Sequence, residues 1–466
     1  MQYQLDDKIL SKKDNNYTHI RQNILPFQTR NPERATFEND FSPITAEFIR
    51  DILKLSTPEI HKTEKIINSS IDRIDFNTEQ DKETMNMYLN GLLHHSNKKG
   101  DLTNIKNFPL SEGRSKVGEV EIAHFLYDFF IRAQRSEIDE IVADLKDNKN
   151  ILTNLIDSVS SEEEVETSEI KAKYKGYYSD FSKLFLKDFK FVLRNRSAIM
   201  NNLNLLLSHY YFVVSTQLII GLDNMTNFDS EKFTKVVYIL MTEKSSRSRD
   251  SYIFGLHEIK RKLKRTITHD HIFYILNNNT FRKKAAENDY WDYSQFKDFF
   301  AQNDKNVELE FVKSIVVWME NIYCRKNNID FDDKYYEIES FAGAVEMMHE
   351  LIQYAWYTYR NDRSKPDGLY SRFMINYDEI QRSFFRKNGG SLGQLIALSQ
   401  NHLLFLVGMS VGDEPLLVSD LWLELEKRGV WFDHKSKTEV VKILTKLNYI
   451  DKKSDSGDAQ YVKRIL

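Results

Sequence analysis

The sequence predicts a mainly α protein: a helical body with a C-terminal winged helix-turn-helix module. Three observations predict it. Glycine and proline number only 16 and 7 in 466 residues. No proline occurs between Pro109 and Pro366, and proline breaks helix interiors because it lacks an N–H and clashes with the preceding turn. After Asn388 the signals run helix, short strand, helix, turn, helix, hairpin, the order of a winged helix. An all-β sandwich needs far more turn punctuation.

At this length two or three domains are expected. Residues 1–110 hold most of the early prolines and read as short helices joined by irregular loops. Ser42–Pro43 and Thr57–Pro58–Glu59 look like helix starts, each a capping side chain followed by Pro at the first helical position. Residues 111–388 form the helical body. Ser136-x-x-Asp139 before Ile141, Val142 and Leu145 predicts a capped amphipathic helix. Ser160–Glu164 reads as a solvated acidic loop. Phe341, Val345, Met348, Ile352 and Ala355 recur at helical spacing, so Tyr335–Tyr359 is expected to be one helix. Asn361–Gly368, with Pro366, reads as a loop.

Residues 389–466 form the third unit. Leu392–Val411 is an apolar run expected to be helical, and Leu416–Val418 is a short strand. Ser419 is expected to cap a helix carrying Leu421 and Leu425 on one face, ended by Gly429. Ser436-x-x-Glu439 reads as a capping box before Val440, Val441, Leu444 and Leu447. Tyr449–Lys453 and Ala459–Leu466 flank a Ser/Asp/Gly turn and predict a hairpin.

Formal net charge is −4, so nucleic-acid contact needs local basic patches. One lies at the C-terminus, where residues 434–466 hold eight Lys and Arg against four acids. Lys435, Lys437, Lys442, Lys446, Lys452 and Lys453 are the candidates there. Asp455 and Asp458 at the expected wing tip would repel phosphate. The third helix lacks the Arg, Asn and Gln favoured for base edges, so sequence-tolerant DNA contact and protein docking both stand. A second patch spans Lys244–Arg265, with Lys260, Arg261, Lys262, Lys264 and Arg265 at its end and Tyr252 and Phe254 nearby. It is a phosphate-tracking surface or an ordinary solvated helix face.

The single cysteine, Cys324, excludes an intrachain disulfide and a multi-cysteine zinc site. This suits a reducing cytosol, and the first residues lack the order of a signal peptide. The expected location is cytoplasmic. Ile199–Leu222 carries no Asp, Glu, Lys or Arg, which raises a membrane span. Its Asn, Ser, His, Thr and Gln residues favour a buried central helix instead.

No complete catalytic centre is legible. There is no P-loop. Asp250, Glu258 and Lys260 have the loose spacing of a metal-dependent nuclease, but on a segment that reads as helix. His269–Asp270–His271 reads as an exposed loop rather than a metal site. Glu121/His124 and Glu346/His349 are Glu-x-x-His pairs of the kind a di-iron bundle uses, with no matching further glutamates. No cofactor, metal or catalytic residue is expected.

The ending Leu421-x-x-x-Leu425–Glu426–Lys427–Arg428–Gly429–Val430–Trp431–Phe432–Asp433, then Leu447–Asn448, then Lys453–Val462, resembles the DptG (DndG) family of bacterial DNA phosphorothioation-dependent restriction proteins. The likeness covers the last quarter of the chain. It implies a non-catalytic bridging or DNA-contacting subunit beside DptF-like and DptH-like ATPase subunits, acting on DNA without phosphorothioate marks. The family supplies no catalytic residues to carry over. The alternatives are a metal-dependent nuclease subunit and a winged-helix transcriptional regulator.

Overall fold

The computed structural model describes residues 2–10, 22–37, 40–54, 60–94, 115–139, 170–194, 199–360, 369–452 and 460–465. Its longer helices are α1 (Ser42–Leu53), α2 (Ile60–Ile71), α3 (Glu79–His94), α4 (Val117–Leu126), α5 (Ser179–Arg194), α6 (Ile199–Leu222), α7 (Leu256–Leu276), α8 (Tyr293–Ala301), α9 (Lys305–Trp318), α10 (Phe341–Arg360), α11 (Leu369–Ile380), α12 (Gln400–Val411), α13 (Val418–Lys427) and α14 (His434–Lys446). The strands are β1 (Val237–Leu240), β2 (Arg386–Asn388), β3 (Gln394–Leu398), β4 (Leu416–Leu417), β5 (Trp431–Phe432), β6 (Ile450–Lys452) and β7 (Gln460–Val462). The protein is mainly α.

Helix α6 lies at the centre. It is long and apolar enough to cross a membrane, but 89% of that stretch is buried inside the protein. A polar group enclosed this way must find a partner, and its polar residues reach neighbouring elements. Asn204 accepts from the Thr45 hydroxyl at 2.6 Å and donates to Ser42 Oγ at 2.9 Å. Gln217 exchanges two 2.8 Å bonds with the Thr234 backbone. Thr216 meets the Tyr377 hydroxyl at 2.8 Å, and Tyr210 donates to Asp188 on α5 at 2.8 Å.

Two small sheets stand beside the helices. One has the order β2-β3-β1-β5, with β1 parallel to both β3 and β5 and β2 antiparallel to β3. The other, β4-β7-β6, is antiparallel throughout. Strand β1 thus lies between strands from much later in the chain.

The turn between α13 and α14 is fastened to the body. Arg428, fully buried, makes 2.8 and 2.7 Å bonds to both carboxylate oxygens of Asp188. Its carbonyl lies 2.8 Å from His209 Nε2 on α6. Gly429 follows at φ 78°, and a Cβ there would stand 2.5 Å from Val213 Cγ1. Only glycine allows this turn to approach α6 so closely.

Several expected local features differ. Ser42 is the first residue of α1, and Phe41 is its cap without a side-chain bond; the Ser42 hydroxyl accepts from Asn204 instead. Ser136 and Asp139 lie inside a helix continuing from α4. The Leu392–Val411 run is a strand and a helix, because Ser399 caps α12 by accepting from the His402 N–H. Helix α13 starts at Val418 with no side-chain cap, so Ser419 does not cap it. Asp433, not Ser436, caps α14. Tyr335 belongs to a short 3-10 turn, Asp333–Glu337, and α10 begins at Phe341. His269–Asp270–His271 is buried within α7, not on a loop. The Thr57–Glu59 start, Ile141–Leu145, the Ser160–Glu164 run, Asn361–Gly368 and the Ser454–Asp458 turn lie outside the described residues.

Removing one partner of a buried ion pair strands the other charge, at a cost of about 3–5 kcal/mol. Asp188→Ala is therefore expected to lower the unfolding free energy by about that amount, measured by urea denaturation. A loss below about 1 kcal/mol would show that the Arg428 fastening contributes little.

Candidate nucleic-acid interface

The loop leaving β1 folds back against the start of α14, and one guanidinium holds the two together. Arg249 is 6% exposed. It bonds both Asp433 oxygens at 2.8 and 2.6 Å, Glu243 Oε2 at 2.9 Å and Ser436 Oγ at 2.9 Å. It also donates to the Lys244 carbonyl at 2.8 Å. Glu243 accepts from the Leu240 N–H at 2.8 Å, and Lys387 Nζ donates to the Met241 and Glu243 carbonyls. Burial raises the Asp433 carboxyl, but Arg249 and the Ser436 N–H outweigh it and hold it below the usual carboxylate range. Asp433 therefore caps α14 as an anion.

This clamp leaves an open groove of about 620 Å³ between the loop and α14. Lys244 lines one wall, and His434, Lys435, Glu439 and Lys442 line the other. Lys435, Thr438, Glu439 and Lys442 share one face of α14, since residues three and four apart are helix neighbours. Glu243 is committed to Arg249. Glu439 pairs with Lys442 at 2.6 Å, with both side chains exposed, a contact worth little in water. Lys244 and Lys435 are exposed and have no ion pair among the described residues. The lysines thus outnumber the acidic side chains that line the groove.

The other sequence candidates are scattered or already engaged. Lys437 lies 3.8 Å from Glu426 and over the Trp422 ring at 5.3 Å. Lys446 is exposed at the end of α14. Lys452 is in β6, and Lys453 lies outside the described residues. In the second patch, Lys260 pairs with Asp378, Arg261 with Glu258, and Lys262 and Arg265 both with Asp223. Lys264 is exposed. Among the described residues, Lys260, Arg261, Lys262, Lys264 and Arg265 face only Asp378, Glu258 and Asp223, so this patch keeps part of its charge, and Lys244 at its start joins the groove.

The spacing Asp250, Glu258, Lys260 does not converge on a centre: Asp250 pairs with Lys235, Glu258 with Arg261 and Lys260 with Asp378. Among the described residues no group of three or more His, Cys, Asp and Glu could hold a metal ion. Glu121 binds Lys173 and the Tyr174 hydroxyl, while His124 lies 3.5 Å from Asp51. Glu346 is exposed while His349 is buried. Cys324 is buried, and burial pushes its thiol up to about 11.

Sequence reasoning missed the Arg249 clamp and two buried histidine pairs. His209 faces His402 with ring centres 5.3 Å apart, and His269 faces His349 at 5.1 Å. Burial pushes His209 and His349 down to about 4 and His269 and His402 well below the usual value.

Residues 121–228, from α4 to the turn after α6, match the family model of the CRISPR associated protein Cas1. The span is under a quarter of the chain, and the groove lies outside it. The match gives the chain a phage-defence theme. No curated protein matches the chain.

The histidine pairs set a pH dependence. Their folded pKa values lie below the ordinary imidazole value, so below about pH 6.5 the unfolded chain binds more protons and stability falls towards pH 4. Asp51 acts in the opposite sense. Burial raises its carboxyl from 3.8 to about 6, so its contribution is present at low pH and is lost as pH rises through about 6. His124 and Asp7, also shifted up, act in the same sense as Asp51, and the four downshifted histidines outnumber them. The urea midpoint is expected to be lower at pH 5 than at pH 7.5, and His349→Gln to narrow the difference. An equal or higher midpoint at pH 5 would contradict this.

Proposed function

We propose that this protein is a non-catalytic bridging subunit of a phage-defence complex of the phosphorothioation-dependent restriction type, and that its C-terminal segment is a winged helix contacting DNA. The observation that carries the reading is the groove in which Lys244 meets Lys435 and Lys442. These residues are about 190 positions apart in sequence yet line one cleft. The element order α12, β4, α13, α14, β6, β7 with the sheet order β4-β7-β6 supports the winged-helix assignment. In that arrangement α14 is the helix presented to nucleic acid. Its lysines suit phosphates, and it offers no Arg, Asn or Gln for bidentate base contacts. Binding is then sequence-tolerant, which disfavours a promoter-specific regulator. The likeness to DptG-type proteins supports partnership with DptF-like and DptH-like ATPase subunits, and a cytoplasmic location suits that role.

A metal-dependent nuclease subunit is the second reading. The Cas1 match favours it, while the dispersal of Asp250, Glu258 and Lys260 counts against the nuclease site legible in the sequence.

Each phosphate contact contributes close to one unit of slope in a plot of log affinity against log salt. Changing Lys435 and Lys442 together to Glu is expected to lower duplex affinity at least tenfold and the slope by about two. Fluorescence anisotropy with unrelated duplexes at several salt concentrations reads both. Unchanged affinity and slope would remove α14 from the DNA interface.

A further inference from the structure

Directly after Arg249 the chain makes one short helical turn, Asp250–Ile253, and then bends into α7. Backbone bonds fix this turn. The Arg249 carbonyl accepts from the Tyr252 and Ile253 N–H groups at 2.9 and 3.3 Å, and the Asp250 carbonyl from the Phe254 N–H at 2.8 Å. The Phe254 carbonyl in turn accepts from the Val237 N–H, at the start of β1, at 3.2 Å. Tyr252 packs against Ile239, Leu395 and Ala397 of the sheet. Gly255 is buried, and a Cβ there would stand 2.2 Å from the Ser251 carbonyl oxygen, so only glycine fits this bend.

Ile253 and Phe254 stand out of this turn into solvent, at 52% and 46% exposure. Single exposed apolar residues are ordinary on a protein surface. These two are adjacent, on a fixed turn, and set among cations. Lys235 Nζ lies 5.6 Å from the centre of the Phe254 ring and pairs with Asp250 at 3.1 Å. Residues 244–265 hold eight Lys and Arg against two acids. Of these, Lys244, Arg247 and Lys264 are exposed, with no ion pair among the described residues. Arg249 lines the groove with its side chain and fixes the turn with its carbonyl, so groove and tip meet at one residue. Phe254 follows Arg249 by five residues, about 8 Å along a helical turn, or roughly two base steps of a nucleic-acid strand.

A basic surface that tracks a backbone, with an exposed aromatic ring beside it, is the arrangement that holds unpaired nucleic acid. Every base has a π-face, so stacking adds affinity without reading sequence. Inside an intact duplex each base is already stacked on its neighbours and offers no free face. We propose that Ile253 and Phe254 form a stacking platform for an unpaired base, so that the DNA held by the groove is a duplex continuing into a single strand. The inference rests on the DNA-contacting reading above and names the DNA structure that this site takes.

The test uses the full-length protein and fluorescence anisotropy with two probes. Both are one duplex with a single-stranded tail on one strand, made of thymidines in the first and of abasic residues in the second. The tails carry equal charge, so the difference between the probes reads base contact alone. The native protein is expected to bind the thymidine-tailed probe at least about fivefold more tightly. Phe254→Ala is expected to abolish that difference and to leave affinity for the abasic-tailed probe unchanged, while Phe254→Trp retains the difference. Lys435→Glu with Lys442→Glu is expected to weaken both probes together and keep their ratio. If the native protein binds both probes equally, or if the difference survives in Phe254→Ala, the inference is overturned while the groove reading stands. If the native protein binds neither probe, the DNA-contacting reading falls and the inference falls with it.

Discussion

The arrangement of the candidate site depends on Arg249. Its guanidinium is almost fully enclosed, and it holds Glu243 beside β1 and Asp433 at the start of α14 at once. A buried guanidinium with five fixed donors is suited to this because its planar fork meets a carboxylate with two parallel bonds. The constraint has two consequences. It orients α14 through its own cap residue, and its single positive charge offsets one of the two negative charges of Glu243 and Asp433. Lys244 and Lys435 then set the sign of the field there. Without the clamp, Glu243 and Asp433 would cancel that field.

A second set of contacts gives the clamp a rigid base. Arg428 on Asp188, the Arg428 carbonyl against His209, and Gly429 against Val213 seat the turn before α14 on α5 and α6. Strand β5 adds to β1 one turn later. Helix α14 is therefore held by buried polar bonds at its entry and by sheet pairing beside it. Among the described residues, the hairpin α2–α3 packs on a small cluster of its own, Ile66, Ile67, Ile71 and Leu89.

The helical class was legible because proline scarcity and apolar spacing are local properties. The central position of α6 was legible from its lack of charge together with its many amides and hydroxyls. The strand β3 was not, because Leu395–Leu398 is equally apolar in either conformation; its pairing with β1, over 150 residues earlier, decides the outcome. His269–Asp270–His271 of α7 read as a loop because His and Asp are polar, whereas the Tyr293 hydroxyl on His269 and the Ile24 N–H donating to Asp270 allow these residues to be buried. Of the candidate site, Lys435 and Lys442 were visible as charge on a helix face. Arg249 lies inside the Lys244–Arg265 patch, and nothing local to Ser248–Asp250 signals the distant Asp433 that it satisfies. The pairing of Lys260, Arg261, Lys262 and Arg265 with Asp378, Glu258 and Asp223 is hidden for the same reason.

The claim that two distant segments form one phosphate-binding groove is tested most directly by amide hydrogen exchange with and without duplex DNA. The account predicts that DNA slows exchange in Thr242–Arg249 and in His434–Lys442 together, over the same range of DNA concentration, with both effects lost at high salt. Protection of only one segment, or of neither while DNA is bound, would contradict it.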